Sequence, residues 1–218
     1  MFYLKNQFVV IGLGRFGASV AETLINQNHE VLVIDEDMDM VESFMNTATL
    51  AVQADATDEN VLKELGVHNY ECAIVAIGED RHASILVTLL LKEINVRTVI
   101  SKAQDARHGK MLEKIGADRV IFPERDMGER LARQLGSSNL IEHINLSSQY
   151  DFIEITAPKS FRKKTIDELS KEAPGRFKIV AVKKNEDVNI LPPGTTVIEQ
   201  SDIVLMIGEI NYLKKLSD

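Results

Sequence analysis

The sequence predicts an α/β fold in which a doubly wound parallel sheet is followed by a second, smaller α+β domain. Three observations predict it. The apolar run Phe8-Val9-Val10-Ile11 leads straight into Gly12-x-Gly14-x-x-Gly17, where a helical pattern starts. A second apolar run, Val31-Leu32-Val33-Ile34, ends in an acid, Asp35, 23 positions after Gly12. Apolar runs then keep alternating with helical patterns through the first two-thirds of the chain, as βαβ units do. Strand, glycine turn, helix, strand and terminal acid in this order form a Rossmann-like nucleotide fingerprint, which the three glycines alone would not.

Taken in order, strands are expected at 7–12, 30–35, 50–54, 72–77, 97–102 and 119–122. Helices are expected at 15–28, 37–46, 58–65, 80–94, 105–115 and 124–136. Val9-Val10-Ile11 and Ala73-Ile74-Val75-Ala76 are continuous apolar stretches rather than alternating ones, the pattern of strands covered on both faces. Gly136-Ser137-Ser138-Asn139 then breaks the pattern, which places the domain boundary at 138/139. Residues 1–138 form the nucleotide-binding domain and 139–218 the small carboxy-terminal domain. A connector, Leu140 to Leu146, opens the latter. Alternation at Phe152-Ile153-Glu154-Ile155, a short helix at 165–172 and apolar runs at 178–183 and 203–207 follow, with turns at Asn185-Glu186-Asp187 and Pro192-Pro193-Gly194.

Composition excludes several classes. The 218 residues carry a net charge of −8, which opposes general affinity for nucleic acid or anionic lipid. No stretch approaches the roughly 20 apolar residues that span a bilayer, and Met1 to Gln7 lack the apolar core of a signal peptide. The single cysteine, Cys72, sits in an apolar run and reads as a buried strand residue in a reducing, cytoplasmic setting. The five histidines are scattered without metal-ligand spacing, and neither a Gly-x-Ser-x-Gly elbow nor a P-loop lysine accompanies the glycines.

Several residues fall at the carboxyl edge of the expected sheet, where ligands of doubly wound folds bind. Gly12 suits the tight turn, Gly14 a close approach of a diphosphate and Gly17 close helix–sheet packing, while Asp35 can accept from both ribose hydroxyls. Arg15 and Phe16 lie inside the loop; the Arg15 fork suits phosphate, or else is a solvated residue at a helix start. Asp55, Ala56 and Thr57 face the adenine side, or else Thr57 or Asp58 caps the next helix. Ala76, Ile77 and Gly78 end the fourth strand with room for a ligand beside the backbone. Lys102 can neutralise a phosphate and Glu124 can hold a hard cation, or each is a solvated strand-end residue, Glu124 then being a first-turn acid after Pro123.

The helix from Asp80 has only Ser84 and Thr88 as polar residues between Ala83 and Leu91. A helix that covers one face of a sheet ordinarily keeps a charged outer stripe. Its absence here predicts that the outer face, with Leu90 taken as an outward position, meets another subunit.

Gly12-Leu13-Gly14-Arg15-Phe16-Gly17, Ala76-Ile77-Gly78, Leu89-Leu90-Leu91-Lys92-Glu93, Lys102-Ala103-Gln104, Leu112-Glu113-Lys114-Ile115-Gly116-Ala117-Asp118 and Pro123-Glu124-Arg125-Asp126-Met127-Gly128 together closely resemble the RCK (regulator of conductance of potassium) subunits of bacterial Ktr potassium transporters, the KtrA and KtrC type. The resemblance covers nearly the whole chain. It implies a cytoplasmic ring, typically a homo-octamer, docked under a membrane-embedded KtrB or KtrD dimer. It also implies ATP, ADP or NAD(H) at the glycine loop, with ATP against ADP setting ring shape and transport. In it Arg15 reaches the γ-phosphate region, Glu124 holds a divalent cation or sodium with ATP, Asp35 holds the ribose, Asp55 to Thr57 face the adenine and Lys102 approaches the phosphates. Cyclic di-AMP at a carboxy-terminal dimer interface is a further implied ligand that stays open. Ile190-Leu191-Pro192-Pro193 fits it, but Glu172 stands where some binders carry arginine, with Arg176 as the nearby substitute.

The reading is therefore a nucleotide-sensing regulatory subunit and not an enzyme. The competing class is an NAD-dependent oxidoreductase. That reading needs an acid or base facing the nicotinamide, and the last part of the chain offers only His143 near the joint and no Tyr-x-x-x-Lys. A nucleic-acid-binding redox sensor is opposed by the acidic charge.

Overall fold

The computed structural model describes residues 6–137 and 139–217. Met1–Lys5, Ser138 and Asp218, which belong to the expected amino-terminal stretch, the 136–139 break and the carboxy-terminal end, lie outside the described residues. The chain forms two compact units, divided between Asp126 and Met127.

The first unit alternates β1 (Gln7–Ile11), α1 (Arg15–Asn26), β2 (Glu30–Asp35), α2 (Met38–Glu42), β3 (Leu50–Gln53), α3 (Glu59–Glu64), β4 (Cys72–Val75), α4 (Arg81–Glu93), β5 (Thr98–Lys102), α5 (Ala106–Lys114) and β6 (Arg119–Ile121). Its six strands lie in the order β3-β2-β1-β4-β5-β6, all parallel. The order reverses between β1 and β4, so a crevice opens at the carboxyl ends of those two strands. Val9, Leu32, Ala73, Val75 and Val99 face one core while Val10, Val31 and Val33 face the other, all fully buried. Two covered faces explain why these strands read as unbroken apolar runs. Cys72 is buried, and burial pushes its thiol up to about 11.

Helix starts are fixed by local chemistry. Asp37, Asp58, Asp80 and Asp105 each accept a hydrogen bond from a backbone N–H in the first turn of the following helix. Asp58 is thus the cap of α3, leaving Thr57 free of that duty.

The orientation of α4 corrects one expectation. Ser84 and Thr88 face inward at 0% exposure, and the Thr88 hydroxyl bonds both the Ser84 carbonyl (2.7 Å) and the Ser101 hydroxyl on β5 (2.9 Å). Leu90 is buried as well, whereas Leu86 and Leu89 are exposed. The uncharged outer face exists, but its outward positions are Leu86 and Leu89. The Thr88 hydroxyl finds its partners on this inward side, whereas the buried Ser84 hydroxyl has no hydrogen-bond partner among the described residues; Leu86 and Leu89 lie on the opposite side of the helix.

α6 (Pro123–Gly136) starts in the first unit and continues past its limit. The second unit is a five-stranded sheet, β10-β9-β11-β8-β7. It comprises β7 (Leu140–Asn145), β8 (Tyr150–Thr156), α7 (Ile166–Glu172), β9 (Phe177–Lys184), β10 (Asp187–Ile190), β11 (Ile203–Glu209) and α8 (Ile210–Ser217), with every pairing antiparallel. Ile155, Leu169, Ile198, Val204, Met206 and Leu213 form its core. Thr165 and Glu168 close a capping box at α7. The Leu140–Leu146 connector is in fact largely a strand, β7, paired to β8; its mixed polar and apolar order gave no alternation to read. β10 and α8 were also not anticipated. β10 pairs across the two-residue turn Asn185-Glu186, with Asn185 at φ 54°, and all its residues are exposed.

Candidate nucleotide-binding site

Gly12 leaves β1 with φ +91°, and a Cβ there would stand 3.0 Å from the Ile77 nitrogen. Only glycine makes this turn without strain. A Cβ on Gly17 would meet the Gly12 carbonyl oxygen at 1.8 Å and the Ala76 methyl at 3.0 Å, so α1 packs directly onto the turn and the end of β4. Gly14 differs: nothing lies within 4 Å of its Cβ position, and it is exposed at the amino end of α1. The loop therefore presents open backbone at a helix start, where N–H groups and the helix dipole favour an anion.

Asp35 closes the loop from the neighbouring strand. One carboxylate oxygen accepts from the Leu13 N–H at 2.5 Å and the other from the Asp37 N–H at 2.9 Å. Each oxygen keeps acceptor capacity for a ribose hydroxyl. Asp55 accepts from both the Thr57 N–H (2.8 Å) and the Thr57 hydroxyl (2.6 Å), and these bonds hold its carboxyl below the ordinary range. Ala56 is buried in the core, so only its backbone can face a ligand. Just past β4 the Ala76 N–H donates to the Ile11 carbonyl at 2.7 Å, joining the two strand ends at the crevice. Ile77 is half-buried against the core, and Gly78 leaves 3.7 Å between its Cβ position and Lys102 Nζ.

Lys102 and Glu124 meet. Nζ lies 2.6 Å from Oε1, with the Lys102 side chain 11% and the Glu124 side chain 70% exposed. Nζ also lies 5.9 Å from the Phe16 ring centroid. The Lys102 hydrogen bond, the helix-start N–H of Glu124 and the charges of Lys102 and Arg15 hold the Glu124 carboxyl below its usual range. Arg15 itself is exposed. The structure thus gathers Gly12, Gly14, Arg15, Phe16, Gly17, Ala76, Ile77, Gly78, Lys102 and Glu124 around one crevice, with Asp35 at its β2 side. Asp55 to Thr57 follow β3, one strand further out.

Sequence reasoning gave no role to Gln104, Arg81 and His108. The Gln104 amide donates to the Gly78 carbonyl and to the Glu79 carbonyl (3.2 Å), and Arg81 donates to the Gln104 carbonyl oxygen while pairing with Asp105 at 2.8 Å. His108 Nδ1 accepts from the Gln104 N–H at 3.3 Å, and burial lowers the affinity of this imidazole for a proton. These groups fix the loop after β4. Their signal, polar residues just past two strand ends, was present but indistinguishable from ordinary loop polarity. Among the described residues no group of three or more His, Cys, Asp or Glu is placed to hold a metal ion, so Glu124 offers a cation one carboxylate.

This crevice in a parallel sheet followed by an antiparallel carboxy-terminal unit defines a TrkA-N domain (matched over residues 8–123) joined to a TrkA-C domain (matched over 152–218). Ktr system potassium uptake protein C of Bacillus subtilis is 42% identical over 97% of this chain and 96% of its own length. Ktr system potassium uptake protein A of the same organism is 41% identical over 99% and 97%, and that of Vibrio alginolyticus 35% over 93% and 92%. The chain belongs to the KtrA/KtrC family of RCK proteins. The GsuK channel bound to NAD superposes with a TM-score of 0.68 at 20% identity, covering 99% of this chain and 40% of that one. GsuK bound to ADP gives 0.51 at 20%, covering 61% and 34%. At such identities these structures show the shared fold.

Proposed function

We propose that the protein is a nucleotide-sensing regulatory subunit of a Ktr-type potassium uptake system, in which ATP or ADP at the glycine-loop crevice controls a KtrB- or KtrD-like membrane subunit. The observation that carries the reading is the near-complete match to Ktr potassium uptake proteins, together with an open loop at Gly14 on the amino end of a helix. Asp35 holds the ribose, Asp55 to Thr57 face the adenine, and Arg15 and Lys102 take the phosphates. Glu124 contributes one oxygen to a cation whose other ligands are phosphate oxygens and water. NAD(H) is the alternative occupant of the same crevice. Asp35 disfavours a 2′-phosphate there.

No helix among the described residues is long and apolar enough to cross a membrane. A cytoplasmic location, at the membrane through its partner, is part of this reading. Self-association into dimers and an octameric ring is part of this reading, with the Leu86/Leu89 face of α4 as one contact. The functional division falls after α6, at 138/139, although compactness divides the chain at 126/127. In the carboxy-terminal unit Glu172 pairs with Lys164 at 2.7 Å, while Arg176 and Lys178 line a cavity of about 410 Å³. Cyclic di-AMP at a carboxy-terminal dimer interface, on the stretch 172–179 with 190–193, is an anionic ligand to test in this unit.

The reading is tested by rubidium uptake into liposomes that hold the protein with KtrB or KtrD. ATP should activate uptake, ADP should not, and Arg15→Ala should lose the ATP response while keeping ADP binding. ATP activation at the wild-type level in Arg15→Ala would remove the assignment of Arg15, and a wild-type protein blind to all nucleotides would remove the function. An oxidoreductase would instead turn over NADH with some substrate, which this reading excludes.

A further inference from the structure

The loop between β4 and α4 is anchored at both ends. At its start the Ala76 N–H donates to the Ile11 carbonyl, and at its end the Asp80 carboxylate accepts from the His82 and Ala83 N–H groups at 2.8 and 3.0 Å. Between these points lies Gly78, whose missing Cβ lets the peptide plane that follows it turn either way. A side chain from the next strand sets that plane. The Gln104 amide, two residues past β5, donates to the Gly78 and Glu79 carbonyls, and its own oxygen accepts from Arg81 Nε. Gln104 is braced in turn: its backbone N–H donates to Nδ1 of the buried His108 at 3.3 Å, and Arg81 pairs with Asp105 at 2.8 Å.

A trans peptide holds its C=O and N–H on opposite edges of one plane. With the Gly78 carbonyl drawn toward Gln104 on the β5 side, the Glu79 N–H points away from β5. The strand order β1-β4-β5 puts the glycine loop on that other side. The Glu79 N–H finds no acceptor among the described residues, and Lys102 Nζ lies 3.7 Å from where a Gly78 Cβ would stand, so a backbone donor and a cation share this corner. We propose that Gln104 is a positioning residue for the phosphate end of the nucleotide: by holding the Gly78–Glu79 peptide it presents the Glu79 N–H to a phosphate oxygen beside Lys102. The inference rests on the nucleotide reading above and adds to it a donor and the side chain that orients it. A donor fixed in advance spends no free energy on ordering when the ligand arrives, and a charged acceptor makes its hydrogen bond a strong one. Adenosine, which lacks the phosphates, gains nothing from it.

Calorimetric titration of the full chain with ADP and with adenosine tests this in Gln104→Leu and Gln104→Glu. Leucine removes the two carbonyl contacts without changing charge, and glutamate keeps an oxygen for Arg81 but has no N–H for the carbonyls. Gln104→Leu should bind ADP about fivefold to twentyfold more weakly than wild type, part of what a hydrogen bond to a charged acceptor contributes, and should keep its adenosine affinity. Gln104→Glu should lose ADP at least as strongly, whereas a residue that served only to hold Arg81 would tolerate it. In the wild type, hydrogen exchange at short labelling times over residues 77–80 should slow when ADP is bound and not when adenosine is. That measurement needs no variant and decides the matter if thermal melting shows that the variants fold poorly. An unchanged ADP affinity in Gln104→Leu, equal proportional losses for ADP and adenosine, or unslowed exchange over 77–80 with ADP bound would each overturn the proposal. A wild type that binds neither ligand would instead remove the nucleotide reading on which it stands.

Discussion

The Asp35 carboxylate accepts a hydrogen bond from the Leu13 N–H at 2.5 Å, so the acid at the end of β2 is a structural clasp on the glycine loop. It also fixes its own turn by accepting from Asp37 N–H at 2.9 Å. The acid proposed above to hold the ribose thus also positions the glycine loop. This doubles what is lost when it is removed.

Asp35→Ala should weaken ATP, ADP and NADH alike by roughly tenfold or more, since a hydrogen bond to a charged group contributes about 1.5–3 kcal/mol. It should also lower the stability of the free protein, because the Leu13 N–H loses its acceptor. Asp35→Asn keeps one carbonyl for Leu13 and should lose mainly affinity. Calorimetry and urea unfolding separate the two effects; unchanged affinity in both variants would dismiss Asp35 from the site.

The glycines of the loop should respond in opposite ways. Gly17→Ala forces a methyl against the Gly12 carbonyl and should cost about 1–3 kcal/mol or more, or block folding. Gly14→Ala meets nothing within 4 Å, so the free protein should melt within a degree or two of wild type while nucleotide affinity falls. Equal stability of the two variants would contradict the packing described.

Charge placed on α4 distinguishes its faces. Leu89→Glu, on the exposed side, should reduce the assembled mass in light scattering while the subunit still folds. Leu90→Glu, at 9% exposure, should instead destabilise the subunit by several kcal/mol, because an unpaired charge would be buried. A wild type that is monomeric at micromolar concentration would end the interface reading of this face.

Acid sensitivity follows from Asp118, which accepts from Lys92 Nζ at 2.9 Å and from the Val99 N–H at 2.7 Å. The Lys92 bond first, and the Val99 bond after it, hold its carboxyl below the ordinary aspartate range. Its folded value lies below the unfolded one of about 3.9, so its contribution is complete above that value and is lost as pH falls through the folded value. The group is partly exposed, which limits the effect to about 1 kcal/mol. The stability gap between wild type and Asp118→Asn should be constant from pH 5 to 8 and close below pH 4. A gap that widens on acidification would contradict the sign.

The sequence alone determined the parallel sheet, its six strands and six helices, and the crevice at the end of β1. Those features rest on local signals: continuous apolar runs for doubly covered strands, aspartates at helix starts, and glycines where a turn or a helix approaches too closely for a Cβ. It also placed Asp35, Lys102 and Glu124 at the carboxyl edge of the sheet, because Asp35 and Lys102 end strands whose ends are legible and Glu124 follows one. Tertiary structure decided what those side chains touch. That Lys102 holds Glu124, that Asp35 clasps Leu13, and that Gln104 ties down the loop after β4 depend on residues about 20 to 26 positions apart being brought together by strand order. The inward turn of Thr88 is matched by Ser101 lying opposite it on β5. β7 and β10 likewise exist because β8 and β9 offer hydrogen-bond partners, and an edge strand without a regular pattern declares itself only when its partner is in place.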